Sequence, residues 1–460
     1  MDSRPERRLG ALAALRTRVQ PRLSRLRRSE TAKAGGLALA MILNNIIALG
    51  ATVLFARELT DYGSLGALIS YLLILTVVGQ AMQVATAREG VLGHLGVGPA
   101  LLDTVRGWTR TLMIATAGLT VVSILLRDPI AQAVGVHRYP WAAALGVPAG
   151  CLYLELSLLR GGLQGVGNYR AVGMSLVGEQ GVRLITGALL ALGMGVTGAY
   201  LASILSYIAM SIYCLAKLRV HAATHPRREP TATAGVSLLQ HIRRAWAPIA
   251  GLAVIAVLQN IDIIAAKHRF SSATATSYAA TAVAAKVMIW VAVGGAFYLV
   301  PEAARLRAAG QDARPLLARV LAIVVVCSIP CLLIFAFGAH ALLSAVFGPK
   351  KATASDSLLV LGLAFTVLAC TYLAIQYMLA LKRTRFLVAI GVVAAAEPIL
   401  LLQASRHPSG FAGVVLAVQA VGAVVAFALA LRREKAPPGP PAAESTLEDA
   451  AQSPTVAEVV

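Results

Sequence analysis

The sequence predicts an all-α polytopic membrane protein of about twelve transmembrane helices, in two six-helix lobes related by a parallel pseudo-twofold repeat. Three observations lead there. The chain is a succession of apolar stretches, each roughly 19–26 residues long, too long and too unalternating for strands. Basic residues collect in alternate gaps between them. A faint internal likeness recurs at a spacing of about 216 residues.

In order, the spans fall at 34–57, 64–86, 108–126, 140–160, 170–194, 197–217, 246–266, 275–300, 318–338, 354–382, 384–404 and 410–431. At 1.5 Å per residue, about 20 residues cross a hydrocarbon core of roughly 30 Å. The longest gap, 218–245, carries "HAATHPRREPTATAG" and reads as an interdomain linker between an N-lobe (34–217) and a C-lobe (246–431). Residues 1–33 hold ten basic residues, with Leu9, Leu12, Leu15 and Val19 at helical spacing. They form either a helix on an anionic leaflet or a tail that helps set topology. The Pro-, Ala- and acid-rich stretch 432–460 predicts a disordered tail.

The basic residues give an orientation. Of the 41 Lys and Arg residues, 31 lie in the N-terminal tail, the even-numbered loops and the C-terminal tail. Eight lie in the odd-numbered loops, and Arg183 and Lys286 lie inside spans. One missed span would mix the two sets, so the asymmetry places both termini in the cytoplasm and the chain in the cell (cytoplasmic or inner) membrane as a multi-pass protein. The net charge of +20 is the sum of these loops, with no basic face interleaved with aromatics, which excludes nucleic acid as a partner. Cys327 and Cys331 share a helix face with no His or carboxylate near them, so no metal is expected. The sequence has no phosphate-binding loop, zinc-protease motif or nucleophile elbow, so neither an enzyme nor a cofactor is expected.

The internal likeness pairs "LNNII" (43–47) with "LQNIDI" (258–263), and "DYGSLGALISYLLILTVVGQ" with "TSYAATAVAAKVMIWVAVGG", Tyr62 falling on Tyr278. Glu179 in the fifth span has Glu397 near the equivalent place in the eleventh. The strings "LNNIIALGATVLFARELTDYGSLGALIS", "LRGGLQGVGNYRAVGMSLVGEQGVRLITGALL" and "LQNIDIIAAKHRFSSATATSYAATAVAAKV" resemble the polysaccharide-transporter branch of the multidrug/oligosaccharidyl-lipid/polysaccharide (MOP) exporter superfamily, which includes O-antigen and capsule flippases. The resemblance covers about residues 34–431. It implies two lobes forming a V around a polar cavity, alternating access, a lipid-linked glycan as cargo, and glycan polymerase or glycosyltransferase partners beside the membrane lipids.

Away from the span ends, formal charge is confined to Glu155, Glu179, Arg183, Asp262, Lys286 and Glu397. A charge at mid-bilayer costs about 2.5–3.5 kcal/mol on the insertion scale, so each should face protein or water. Arg183 and Lys286 come out near mid-membrane and are the candidate cavity cations for an anionic headgroup. Arg57, at the outer end of the first span, either extends that track or snorkels. Glu179, four residues before Arg183, offers it a local partner instead. Asp262, with Asn260, either binds a coupling proton or sodium ion or pairs with Lys286. Glu397 precedes Pro398, a hinge or a packing irregularity. Asn44, Asn45, Gln80, Gln83 and Gln376 either line the cavity for sugar hydroxyls or bond between helices.

These features favour an alternating-access flippase for a polyprenyl-diphosphate-linked oligosaccharide or related glycolipid in surface polysaccharide biosynthesis. The alternatives are a cation-coupled exporter of the multidrug-and-toxin-extrusion type, which needs a carboxylate-rich cavity, and a non-transporting membrane scaffold.

Overall fold

A computed structural model of the chain describes residues 30–96, 98–224 and 237–432, and these are helical almost throughout. The helices are α1 (Glu30–Glu58), α2 (Tyr62–Val91), α3 (Pro99–Leu125), α4 (Arg127–Val134), α5 (Pro140–Ala144), α6 (Gly146–Gly165), α7 (Tyr169–Thr224) and α8 (Leu238–Arg244). There follow α9 (Trp246–Arg269), α10 (Ser272–Ala285), α11 (Val287–Ala308), α12 (Arg314–Phe337), α13 (Ala339–Phe347), α14 (Leu358–Ala380), α15 (Phe386–Gln403) and α16 (Pro408–Ala430). Of the expected tails, 1–33 and 432–460, residues 1–29 and 433–460 lie outside the described residues.

Among the described residues, eleven helical segments are long and apolar enough to cross a membrane. One of them, α7, makes two passes. Its 56 residues are interrupted at Gly195 (φ 55°, ψ −128°). A Cβ built on Gly187 would lie 3.3 Å from that of Ala202, a pair that a straight helix would hold about 22 Å apart. The fifth and sixth spans are therefore a hairpin, which makes twelve candidate crossings among the described residues. Several helices outrun their apolar windows. α3 starts at Pro99, a residue suited to a first helical turn, and α7 runs on to Thr224. Hydropathy marks the hydrocarbon-embedded part of a helix, while its polar turns continue into water. The eighth span is divided at Lys286 between α10 and α11.

In one lobe α2 packs on α6, α6 on α7, α1 on α7 and α3 on α6; in the other α14 packs on α16, α11 and α12, and α9 on α15. Small residues set the spacing in the first lobe. A Cβ on Gly90 would sit 2.9 Å from the Cα of Gly165, so α2 and α6 cross backbone to backbone. Contact between the lobes runs chiefly from α2 to α9 and α10.

That contact is uneven along the membrane normal. We call the side holding the even-numbered loops the basic face and the other the odd-loop face. At the odd-loop face α2 is buried on every side from Tyr62 to Leu68, α9 from Asp262 to Ala266 and α10 from Ala275 to Ala282. Towards the basic face α2 exposes a stripe of Leu73, Gln80 and Val84. The lobes are sealed at one end and part towards the other.

Within the expected linker, α8 is capped by Ser237, whose Oγ accepts the Gln240 amide at 3.3 Å. Its His241 is buried, stacks on Trp108 of α3 at 4.9 Å and meets the Thr86 hydroxyl of α2 at 2.9 Å. Burial pushes the imidazole below 6.5, the Glu89 charge opposing and Arg244 assisting.

At Gly195 a side chain is strained whatever the space available. Gly195→Val should cost about 1–3 kcal/mol, read as a lowered midpoint of thermal unfolding in detergent. An unchanged midpoint would mean that the hairpin does not depend on this turn.

Candidate functional site

The odd-loop seal is built around Asp61, the N-cap of α2. Its carboxylate accepts the Ser64 amide (3.3 Å) and hydroxyl (2.7 Å) within its own lobe. From the other lobe it receives Lys267 Nζ at 2.9 Å and Ser272 Oγ at 3.4 Å, while the Tyr139 hydroxyl reaches it from its own lobe. Burial raises the Asp61 pKa, but Lys267 and Ser64 outweigh it and hold the carboxyl below the usual 3.8. Around it, the Gly63 amide donates to Thr276 Oγ1 at 3.1 Å, Lys351 Nζ to the Leu59 carbonyl at 3.1 Å, and His268 meets the Ala133 carbonyl at 3.0 Å. Gly66 lets α2 close on Ala279, its virtual Cβ 3.2 Å from the Ala279 Cβ.

Arg57 belongs to this seal. Its Nε donates to the Val346 carbonyl at 2.9 Å and its Nη2 to that of Ala345, satisfying the C-terminal end of α13. In this conformation the guanidinium is engaged by backbone across the seam, rather than presented as the outer part of an anion track.

Among the described residues, each lobe carries one buried cation–carboxylate cluster. In the first, Arg160 of α6 is fully buried and meets Glu179 of α7 at 2.8 Å, with Ser175 accepting from Nε at 2.8 Å through its hydroxyl and from Nη2 at 2.8 Å through its carbonyl. This corrects the local Glu179–Arg183 pair expected from their spacing. The inter-helix partner reaches Glu179 in a dry site where charge-assisted bonds are strongest. Arg160 stands at the last position of its expected span, which disguised it as a loop charge.

In the second, Lys286 Nζ lies 3.5 Å from Asp262 Oδ1 and 3.3 Å from Asn260 Oδ1, and 5.6 Å from the Phe365 ring centre. Tyr278 donates to Asp262 Oδ2 at 3.4 Å, and Asn260 Nδ2 donates to the Ala256 carbonyl at 3.0 Å. Lys286 is thus placed as the partner of Asp262, on the neighbouring helix of its own lobe, and not as a free cavity cation. Glu397 is fully buried on α15, which continues as one helix through Pro398. Its Oε1 accepts Gln419 Nε2 at 3.2 Å, and the same amide donates to the Leu258 carbonyl at 2.9 Å. Glu397 Oε2 has no partner among the described residues. These bonds brace α9, α15 and α16 against one another.

With Glu179 taken, Arg183 is left half-buried near mid-membrane, with no hydrogen bond or ion pair to a described residue. It lies within electrostatic reach of the buried Tyr62, Tyr200 and Tyr207. Asn44 Nδ2 donates to Asn45 Oδ1 at 3.2 Å on half-buried α1. Gln80 is exposed on the α2 stripe and reaches Tyr153; Gln83 is half-buried on α2; Gln376 is half-buried and reaches Tyr372. The structure thus gathers Asp262, Asn260 and Lys286 into one cluster, and keeps Arg183, Arg57 and the amides apart from it.

Two helical lobes, sealed at one end and parted at the other, with a buried cation–carboxylate cluster inside each, make up the described architecture. Among solved structures the chain is similar to "Lipid II flippase MurJ, inward closed conformation", with a TM-score of 0.67, 14% identity and coverage of 85% of this chain and 87% of that one. It is similar to an inward-facing multidrug resistance MATE family transporter of the MOP superfamily at a TM-score of 0.60 (12% identity, 86% and 97% covered). For an outward-facing transporter of that kind the TM-score is 0.53 (13% identity, 88% and 96% covered). The chain has the fold of these transporters. No protein-family model matches it, and no curated protein matches it in sequence.

Asp61→Asn should loosen the seal. With Ala279→Cys as reporter, labelling by an impermeant thiol reagent should rise about tenfold, the loss of one charge-assisted bond. Because the Asp61 pKa is depressed when sealed, the bond's contribution is complete above 3.8 and lost as pH falls through the lowered value. The parent should therefore approach the variant only in strong acid; equal labelling at pH 7 would remove Asp61 from the seal. Glu179→Gln should destabilise the fold by about 3–5 kcal/mol in thermal unfolding, with Arg160→Met added to it recovering most of the loss. No recovery would mean that the buried arginine is not the source of the penalty.

Proposed function

We propose that the chain is an alternating-access exporter of the MOP type, and that it carries a lipid-linked glycan with a phosphate or diphosphate headgroup between leaflets. The observation that carries the reading is Arg183. A guanidinium near mid-membrane by its place in the span, with no counter-charge bonded to it among the described residues, costs about 2.5–3.5 kcal/mol unless water or an anion reaches it. A cargo headgroup bearing phosphate offers the bidentate acceptor that a guanidinium fits. The fold shared with a lipid II flippase supports the reading.

The loop charges put the basic face in the cytoplasm. In this reading the described conformation is inward-facing, since its sealed end is the odd-loop face. Cargo enters between the parted lobes, and release of the Asp61 seal exposes it on the other side. Two negative charges leaving an inside-negative compartment gain about 4.6 kcal/mol per 100 mV, which drives export without nucleotide hydrolysis.

One observation favours a second reading, a cation-coupled exporter of the MATE kind. The second lobe sets one ammonium, Lys286, against two buried carboxylates, Asp262 and Glu397. The second carboxyl would take up either a proton or one small cation.

Depletion of the protein in its own cells, with lipid-linked glycans quantified by mass spectrometry, separates the two. The flippase reading expects a complete lipid-linked oligosaccharide to accumulate while its surface polymer is lost. Arg183→Ala should fail to complement by about tenfold or more, with Arg183→Lys partly restoring transport. Unchanged glycans together with increased sensitivity to cationic drugs would overturn it in favour of the second reading.

A further inference from the structure

On the basic side of the first lobe, α1 and the beginning of α7 diverge around a groove of 630 Å³. Its walls are apolar: Leu37, Leu39, Ala40 and Leu43 on α1 face Met174 and Val177 on α7. Several are strongly exposed, Leu39 by 66% and Met174 by 57%. The floor is the close approach of the two helices at Gly173, whose virtual Cβ would lie 3.0 Å from the Ala40 Cβ. At the basic end the lining changes to Asn168, Tyr169 and Arg170, and no acidic residue lines the groove among the described residues. Asn168 Oδ1 is occupied in accepting the Ala171 amide at 3.2 Å. Arg170 is exposed and bonded to no described residue.

The polarity runs in one direction. From Tyr169 to Val177 the helix rises about 12 Å, close to the depth of one leaflet's hydrocarbon. Arginine and tyrosine at that end sit where headgroups lie, and the apolar walls continue where chains lie. A protein segment would leave Arg170 uncompensated unless it were acidic. A neutral lipid would leave it facing a zwitterion. An anionic lipid satisfies both ends of the groove at once.

We infer that the groove between α1 and the start of α7 is a binding site for an anionic membrane glycerophospholipid, whose phosphate is taken by Arg170 and whose acyl chain lies between Leu39, Leu43, Met174 and Val177. The site is separate from Arg183 and does not depend on what the protein transports.

The test is native mass spectrometry of the full chain released from nanodiscs of phosphatidylglycerol or phosphatidylcholine. The parent should retain phosphatidylglycerol in preference. Arg170→Ala should lose about fivefold of that retention, the scale of one arginine at a membrane surface, and Arg170→Lys should recover part of it. Met174→Trp, which fills the groove from an exposed position, should lose retention with Arg170 unchanged. Arg319→Ala, an exposed basic-side residue outside the groove, should retain lipid as the parent does. Equal retention by the parent and Arg170→Ala overturns the site, and so does an equal loss in Arg319→Ala, which would mean diffuse charge attraction. Displacement of phosphatidylglycerol by a polyprenyl phosphate at equimolar concentration, lost in the same variants, would assign the groove to cargo and overturn its assignment to bulk lipid. Failure of the flippase reading would leave all of these outcomes unaffected.

Discussion

Asp61 is where the two lobes are tied. Its carboxylate is fixed within its own lobe by capping α2, so its free lone pairs point in a set direction before the other lobe arrives. Lys267 and Ser272 then complete it from across the seam. The glycines at 63 and 66 serve the same contact by removing side chains that would hold α2 away from α10. A seal of this kind is directional and reversible. Its bonds are charge-assisted, but they lie at the rim of the membrane, where water can replace each partner once the seam parts. An apolar seam of equal area would have no such replacement available, and would be harder to reopen.

The interiors follow a different rule. Arg160 with Glu179, and Lys286 with Asp262, are pairs within a lobe, joining helices that need not separate when the lobes move. Low dielectric makes such pairs costly to break and strict in geometry. The charges that hold each lobe rigid are therefore not those that hold the lobes together. Arg183 belongs to neither group.

Much of the fold was legible because the hydrocarbon core imposes a length, and length is one-dimensional information. The turn at Gly195 could be placed between two apolar runs although the helix on either side looks continuous. The site was less legible because pairing is three-dimensional. Glu179 and Arg183 stand at the helical spacing of an ion pair, yet the better partner came from another helix, and that helix's apolar window ended on Arg160 itself. Asp61 was visible only as one letter of the string that carries the family resemblance, since its partners lie about two hundred positions away in the chain. Asp262 and Lys286 were foreseeable as a pair because consecutive antiparallel helices bring such residues to similar depth. Arg170 and His241 gave no signal, being ordinary loop-side residues until their neighbours are placed.

The short helix α8 has a mechanical consequence. Its His241 plugs it into α2 and α3 of the first lobe, while its end at Ala245 leads directly into α9 of the second. A single residue, with φ −94° and ψ 9°, separates an element anchored to one lobe from the first strut of the other. In the proposed alternating-access cycle, rocking of the lobes would turn about this elbow as about a fulcrum, and the backbone angle at Ala245 would follow it.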